Sequence, residues 1–233
     1  MRPAALPTFP PPPEGAEPVG DGVWRVTGGA FASNAYICAD GAPGEAFVVD
    51  PGLDPERIDR AARDLGLTPR TVFCTHGHFD HIGGASWFQR RHGAPVFLHQ
   101  ADLKTMQSGN FLLMVLKIAQ RITLPEVSFV DPASPPPDLP VSYLPVPGHT
   151  PGSCFIRFGE HLFTGDSLYA RGVGLSDLPG ENHGLLRQSL LALWDSIPGD
   201  TLIHPGHGPS ARFEAIRTGN RALLDFLAAG DPP

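Results

Sequence analysis

Thr75-His76-Gly77-His78-Phe79-Asp80-His81 places three imidazoles and one carboxylate within positions 76–81, immediately after the apolar run Val72-Phe73-Cys74. The apolar run reads as a buried strand, and Ile82-Gly83-Gly84 beyond the ligands reads as a sharp turn. Neutral imidazole is the commonest protein donor to Zn, Fe, Mn and Co, and a carboxylate beside it adds charge for a second cation. A chain that leaves a strand and reverses can aim His76 and His78 at one ion while Asp80 and His81 face another. Two adjacent metals are the natural reading.

Working outward, the pattern is that of an α/β protein. Strands are expected at 23–27, 35–39 and 46–50, short apolar or alternating runs bounded by Gly, Pro and Asp. A helix is expected over 55–65, with Ile58, Ala61, Ala62 and Leu65 on one face, Asp54 as N-cap and Gly66 as stop. Strand 71–75, helix 85–92 and strand 95–98 continue the alternation. Residues 100–124 read as mostly helical. Their apolar run around Phe111 to Ile118 suits a helix docked on the core, or alternatively a lid or a contact between copies in a homo-oligomer. A proline-rich connector at 132–140 precedes strands at 141–144, 153–158 and 161–164 and a loop at 168–182. Helix 185–196, strand 201–204 and a final helix 211–227 follow. Residues 1–20, rich in Pro, Gly and Ala, read as an extended tail, and 21–233 as a single domain.

Further ligands come from two glycine-flanked turns, Pro147-Gly148-His149-Thr150-Pro151-Gly152 and Pro205-Gly206-His207-Gly208. Glycine beside a histidine lets backbone approach a site closely. Each turn adjoins an expected strand, at the same edge as His76. Between them Phe163-Thr164-Gly165-Asp166 ends a strand in the anion that the site still needs. Two dications bring +4; Asp80 and Asp166 return -2, five neutral imidazoles nothing, and a hydroxide leaves the cluster near +1. Such a site attracts anionic or carbonyl oxygens. A carboxylate bridge at Asp166 suits ions about 3.5–4 Å apart, and water between them loses its proton near neutral pH to become a nucleophile.

Composition narrows the partners. The 233 residues are 18% charged and 41% hydrophobic, a globular profile, and the net charge of -7, with no cluster of Lys or Arg expected, argues against nucleic acid. No stretch is long enough to span a bilayer. Cys38, Cys74 and Cys154 are widely spaced within apolar stretches and are expected to be buried free thiols. Prolines interrupt the N-terminus before an apolar signal segment could form, so a cytoplasmic location is expected.

Together, HxHxDH at 76–81, the His149 turn, Thr-Gly-Asp at Asp166 and Gly-His-Gly at His207 resemble the metallo-β-lactamase fold superfamily, from the turn at 48–52 through His207. The resemblance implies a four-layer αβ/βα sandwich with metals at one edge between two mixed sheets. It implies that His76, His78 and His149 hold one metal and that Asp80, His81 and His207 hold the other, with Asp166 bridging. Lactamases proper usually carry Cys or Ser at the Asp166 position, whereas residues 165–180 and the His207 segment are most similar to the glyoxalase II, or hydroxyacylglutathione hydrolase, branch. Two departures stand out. Larger glyoxalase II enzymes have a C-terminal helical domain that helps bind glutathione, and here one helix is expected after His207. Relatives often show Gly-Arg-Thr-Asp where this chain has Gly174-Leu175-Ser176-Asp177, so a basic residue near the site is missing.

The expected activity is metal-dependent hydrolysis of an activated carbonyl in a small molecule, a thioester of the hydroxyacylglutathione type, with Asp80 and Asp166 as catalytic residues. Alternatives on the same centre are an iron-dependent persulfide dioxygenase using His76, His149 and Asp166, a lactonase or phosphodiesterase, and a non-catalytic binding protein. The donor set, lacking thiolate, admits two divalent ions, zinc first, with iron or manganese in its place. Tyr169, Arg171 and His183 are candidate substrate contacts, and Asp50 is a candidate partner of a ligand or of the 76–81 loop. His92, His99, His161 and His204 read as structural or exposed.

Overall fold

The structure is a computed structural model describing residues 14–131, 140–176 and 178–229. The first thirteen residues of the expected tail, the connector from 132 to 139, and Asp177 lie outside them. Twelve strands form two mixed sheets among the described residues. The larger takes β1 (Glu17–Gly20), β2 (Val23–Gly28), β3 (Ser33–Ala39), β4 (Glu45–Val49), β5 (Thr68–Phe73), β6 (Val96–His99) and β7 (Val127–Val130) in that spatial order. Its first four strands pair antiparallel, the rest parallel. The smaller runs β12 (Ala211–Arg212), β11 (Leu202–Pro205), β10 (His161–Gly165), β9 (Cys154–Phe158) and β8 (Ser142–Pro145).

Side-chain alternation assigns the layers. On β4, Ala46 and Val48 pack with Ile58, Ala62 and Phe88 under the helices α1 (Pro55–Asp64) and α3 (Ala85–His92), while Phe47 and Val49 face the other sheet. On the inner side Phe73, Tyr143, Ile156 and Phe163 close the space between the sheets. The smaller sheet's outer face buries Phe155, Leu162 and Ile203 against α6 (His183–Trp194), α7 (Phe213–Gly219) and α8 (Arg221–Ala228). Period-two burial on both faces of both sheets gives the four layers, helices outside and sheets within. The expected sandwich is present.

Several expectations need correction. Glu17–Gly20, read as tail, is extended but pairs with β2. Asp54 occupies the N-cap of α1 without a side-chain capping bond. Residues 100–124 are not one helix: a 3-10 turn (Gln100–Asp102), α4 (Leu103–Gln107) and α5 (Gly109–Val115) are followed by irregular chain, with Lys117 at φ 57 stopping the helical run. Leu112 and Leu113 dock on the core beside Phe79, while Phe111 and Met114 are exposed. Strand β7 was not foreseen, because Val127-Ser128-Phe129-Val130 is too short to stand out from its flanks. The expected helix 211–227 is β12, α7 and α8, broken at Gly219-Asn220, where the Asn220 side chain caps α8 by accepting from Leu223 N (3.3 Å). Two helices, not one, therefore follow His207. Arginines absent as a linear run do meet in space: Arg60, Arg63, Arg90 and Arg91 line one groove with Glu56, Asp59 and Trp87. No described helix is long and apolar enough to cross a membrane.

All three cysteines are buried and free, as expected. His161 and His204 form a buried pair, with His161 Nδ1 2.9 Å from His204 Nε2 and Ser210 Oγ 2.9 Å from His204 Nδ1. Burial first, then His161 and Arg25, pull the pKa of His204 down to about 3. An unfolded chain protonates this residue near about 6.5, so unfolding takes up a proton between the two values and stability is lost as pH falls through that window. The melting temperature of metal-free protein should accordingly fall less between about pH 7 and about pH 5 in His204→Gln than in the wild type, checked by paired thermal melts; equal slopes would contradict the assignment.

Candidate metal centre

Four loops at one edge of the sandwich carry the seven candidate ligands, and all seven meet. The first cluster is three buried imidazoles. His76 Nε2 lies 3.1 Å from His78 Nδ1, and His149 Nε2 lies 3.0 Å from the same atom. Tetrahedral arms of about 2.0–2.1 Å to nitrogen imply donor separations of about 3.3 Å, close to those seen. Three ring nitrogens converging on one point cannot all be satisfied by protons shared among themselves, so the arrangement fits a cation. Burial, followed by the neighbouring imidazoles, lowers the pKa of His76 well below its ordinary value and that of His78 to about 4. Both rings are held as neutral donors.

The second cluster is Asp80, His81 and His207. His207 Nε2 lies 3.3 Å from Asp80 Oδ2, and His81 Nε2 lies 3.6 Å from that oxygen. Asp166 stands between the clusters: Oδ1 is 3.3 Å from His81 Nε2, while Oδ2 is 3.4 Å from His207 Nε2 and 3.7 Å from His149 Nε2. His81 Nε2 and Asp166 Oδ1 are buried without a hydrogen-bond partner. Such orphaned polar atoms are costly unless something else satisfies them, and a cation would satisfy both. The electrostatics agree. Burial opposes charge on His207, yet Asp166 and Asp80 push its pKa up to about 9, and they hold His81 well above its ordinary value in the same way. A field that strong for a proton is strong for a dication.

Local structure explains each position. The helix α2 (Phe79–Ile82) carries Asp80 and His81, clamped by Gly52 N to His81 O (2.9 Å) and Gly84 N to Gly52 O (2.6 Å). Asp50 follows β4 at φ 50, a left-handed conformation rarely adopted by non-glycine residues, with its carboxylate buried. It accepts from Thr75 N (2.8 Å) and Thr75 Oγ1 (2.6 Å), and its Oδ2 lies 3.0 Å from His81 Nδ1, which fixes His81 with Nε2 toward Asp80 and Asp166. The His207 turn is tied to the opposite sheet: Asn34 Nδ2 donates to Pro205 O (2.9 Å) and Gly208 O (2.8 Å), and the Tyr36 hydroxyl donates to Pro205 O (2.6 Å).

The chain from residue 28 to residue 232 matches the family model of the metallo-beta-lactamase superfamily. The chain belongs to that superfamily. Among curated relatives, the probable metallo-hydrolase YqgX of Bacillus subtilis is 28% identical over 79% of this chain and 89% of its own length. A hydroxyacylglutathione hydrolase of Anaeromyxobacter dehalogenans is 33% identical, over 78% of this chain and 64% of that enzyme. Two solved structures are similar: TTHA1623 in a di-iron-bound form (30% identity, TM-score 0.76, 84% of this chain and 98% of that one), and ETHE1 from Myxococcus xanthus (25%, 0.66, 87% and 86%). As in other members of the superfamily that bind metal, the His/Asp cluster here can hold two ions.

Within this metallo-β-lactamase-superfamily site the secondary candidates separate. The Tyr169 ring lies 6.3 Å from that of His207, and burial, together with the nearby Asp166 carboxylate, raises its pKa far above the ordinary phenol value. Arg171 is exposed on the loop surface. His183 begins α6, half exposed, with Nε2 3.7 Å from Glu181 Oε1. Three residues escaped sequence reasoning: Asn34, Asp102 and Glu181. Asp102 is fully buried and accepts from Gly77 N, Gly152 N and Thr150 Oγ1, each at 2.7 Å, thereby joining the HxHxDH loop to the His149 turn. None carries a local motif, since each acts on segments distant in sequence.

Gly206 shows how tightly the second cluster is built. A Cβ there would overlap Asp166 Oδ1 and His81 Cε1. Gly206→Ala should fold, because the clash is confined to the cluster, but should weaken binding at one of the two metal positions about tenfold or more, measured by metal content after dialysis against a chelator. Wild-type retention would contradict the geometry.

Proposed function

We propose that the protein is a binuclear metallohydrolase acting on the thioester of a hydroxyacylglutathione-type small molecule. The observation that carries the proposal is Asp166, whose Oδ1 faces His81 of the second cluster while its Oδ2 lies between His207 of the second and His149 of the first, in a donor set made wholly of nitrogen and oxygen. His76, His78 and His149 would hold one ion, Asp80, His81 and His207 the other, and Asp166 both. Bound there, the metals supply Lewis acidity toward a carbonyl oxygen and lower the pKa of water.

The residues provide the remainder. Asp80 and Asp166 are hydrogen-bond acceptors beside the donor atoms and can orient a water. Tyr169 stays a neutral phenol and so a hydrogen-bond donor at the edge of the site. A thiolate leaving group, with a pKa of about 8.5, demands no strong general acid, and no Ser or Cys nucleophile is needed. The similarity to a hydroxyacylglutathione hydrolase supports this substrate class.

The second reading, an iron-dependent persulfide dioxygenase, draws on His76, His149 and Asp166 meeting at one place: the two rings lie 4.9 Å apart, and His149 Nε2 is 3.7 Å from Asp166 Oδ2. Protein purified anaerobically and loaded with zinc or iron should cleave a hydroxyacylglutathione thioester with release of free thiol. Oxygen uptake with glutathione persulfide, without thioester cleavage, would replace the first reading by the second.

A further inference from the structure

One further carboxylate, that of Glu181, is buried near the centre. The Glu181 side chain is 2% exposed. Its Oε2 accepts from Ser176 N (2.8 Å) and Ser176 Oγ (2.9 Å), which fixes the carboxylate plane. Its Oε1 has no hydrogen-bond partner and lies 3.7 Å from His149 Nδ1, itself buried and without one. The same segment is tied to the histidine turn by Asn182 N donating to Gly148 O (2.7 Å). His149 therefore shows Nε2 to the metal cluster and Nδ1 to Glu181.

Two other ligand histidines follow the same plan. His81 has Asp50 at Nδ1, and His76 has Thr75 Oγ1 at Nδ1 (3.0 Å), with Nε2 inward in each case. An oxygen acceptor at Nδ1 fixes the tautomer that leaves Nε2 free to bind metal. We propose that Glu181 is the positioning residue of His149, accepting its Nδ1–H so that Nε2 is held as the metal donor. The proposal rests on the reading of His149 as a ligand.

The substitution Glu181→Gln separates this role from simple space-filling. Ser176 N–H and its hydroxyl present donors to one end of the side chain, so a glutamine turns its carbonyl toward Ser176 and its NH2 toward His149. An NH2 donating to Nδ1 favours the tautomer with the proton on Nε2, which blocks metal. Glu181→Gln should thus be as harmful as Glu181→Ala despite matching the native shape.

Titration of metal-free protein with Zn(II) alone, in competition with a chromophoric chelator, reads the effect. Glu181→Gln, which keeps an acceptor for Ser176, should hold the wild-type melting temperature, while in both variants one of the two sites loses about 10- to 100-fold in affinity. Nitrogen-15 NMR of the histidines should show His149 protonated at Nδ1 in the wild type and at Nε2 in Glu181→Gln. Wild-type affinity and tautomer in Glu181→Gln, with metal lost in His149→Ala, would overturn the role of Glu181 alone. Full metal retention in His149→Ala would instead overturn the ligand assignment on which it stands.

Discussion

Asp166→Ala is expected to fold, to retain at most one metal ion, and to lose turnover by about a thousandfold or more, equivalent to about 4 kcal/mol of transition-state stabilisation. Asp166 contacts His81, His207 and His149 with two oxygens and so touches donors of both clusters. Removing it leaves five imidazoles and one carboxylate, Asp80, to balance two dications, a charge deficit that disfavours the second ion. Metal content by mass spectrometry and kcat on the thioester check both parts. Two retained ions with full turnover would contradict the bridging role.

Asp102→Ala is expected to cost about 3–5 kcal/mol of folding stability, read as a fall in the denaturant midpoint. The carboxylate is fully buried and satisfies Gly77 N–H, Gly152 N–H and the Thr150 hydroxyl at once. Alanine leaves those three groups without this acceptor in a place where water does not reach, and each orphaned donor costs about 1–3 kcal/mol. Because Gly77 lies between His76 and His78 and Gly152 lies three residues beyond His149, the first metal cluster should loosen as well. A loss below about 1 kcal/mol would show that the loops are held by other means.

The fold was legible in sequence where short apolar or alternating runs and bounding turns agreed, as in β2 to β5 and β9 to β11. It was not legible where a local break decides the outcome. Lys117 at φ 57 and the Gly219-Asn220 junction end helices whose composition would otherwise continue them. The seven candidate ligands were readable because metal chemistry forces unusual residue types into short, glycine-flanked turns. Their supports were not. Asp102 meets Gly152 across fifty positions, and Asn34 meets Pro205 across 171, through contacts that only the assembled sheets create. Asp50 was the exception: a strand-ending carboxylate before Pro-Gly already suggested a partner role, and its bonds to Thr75 and His81 supply it.

These seven side chains are expected to hold a pair of metal ions. Anomalous diffraction from crystals of zinc-loaded protein, recorded on both sides of the metal absorption edge, tests it directly. Two peaks about 3.5–4 Å apart are expected, one within bonding distance of His76, His78 and His149, the other of Asp80, His81 and His207, with Asp166 touching both. Absence of density there, or ions bound elsewhere on the chain, would contradict the account.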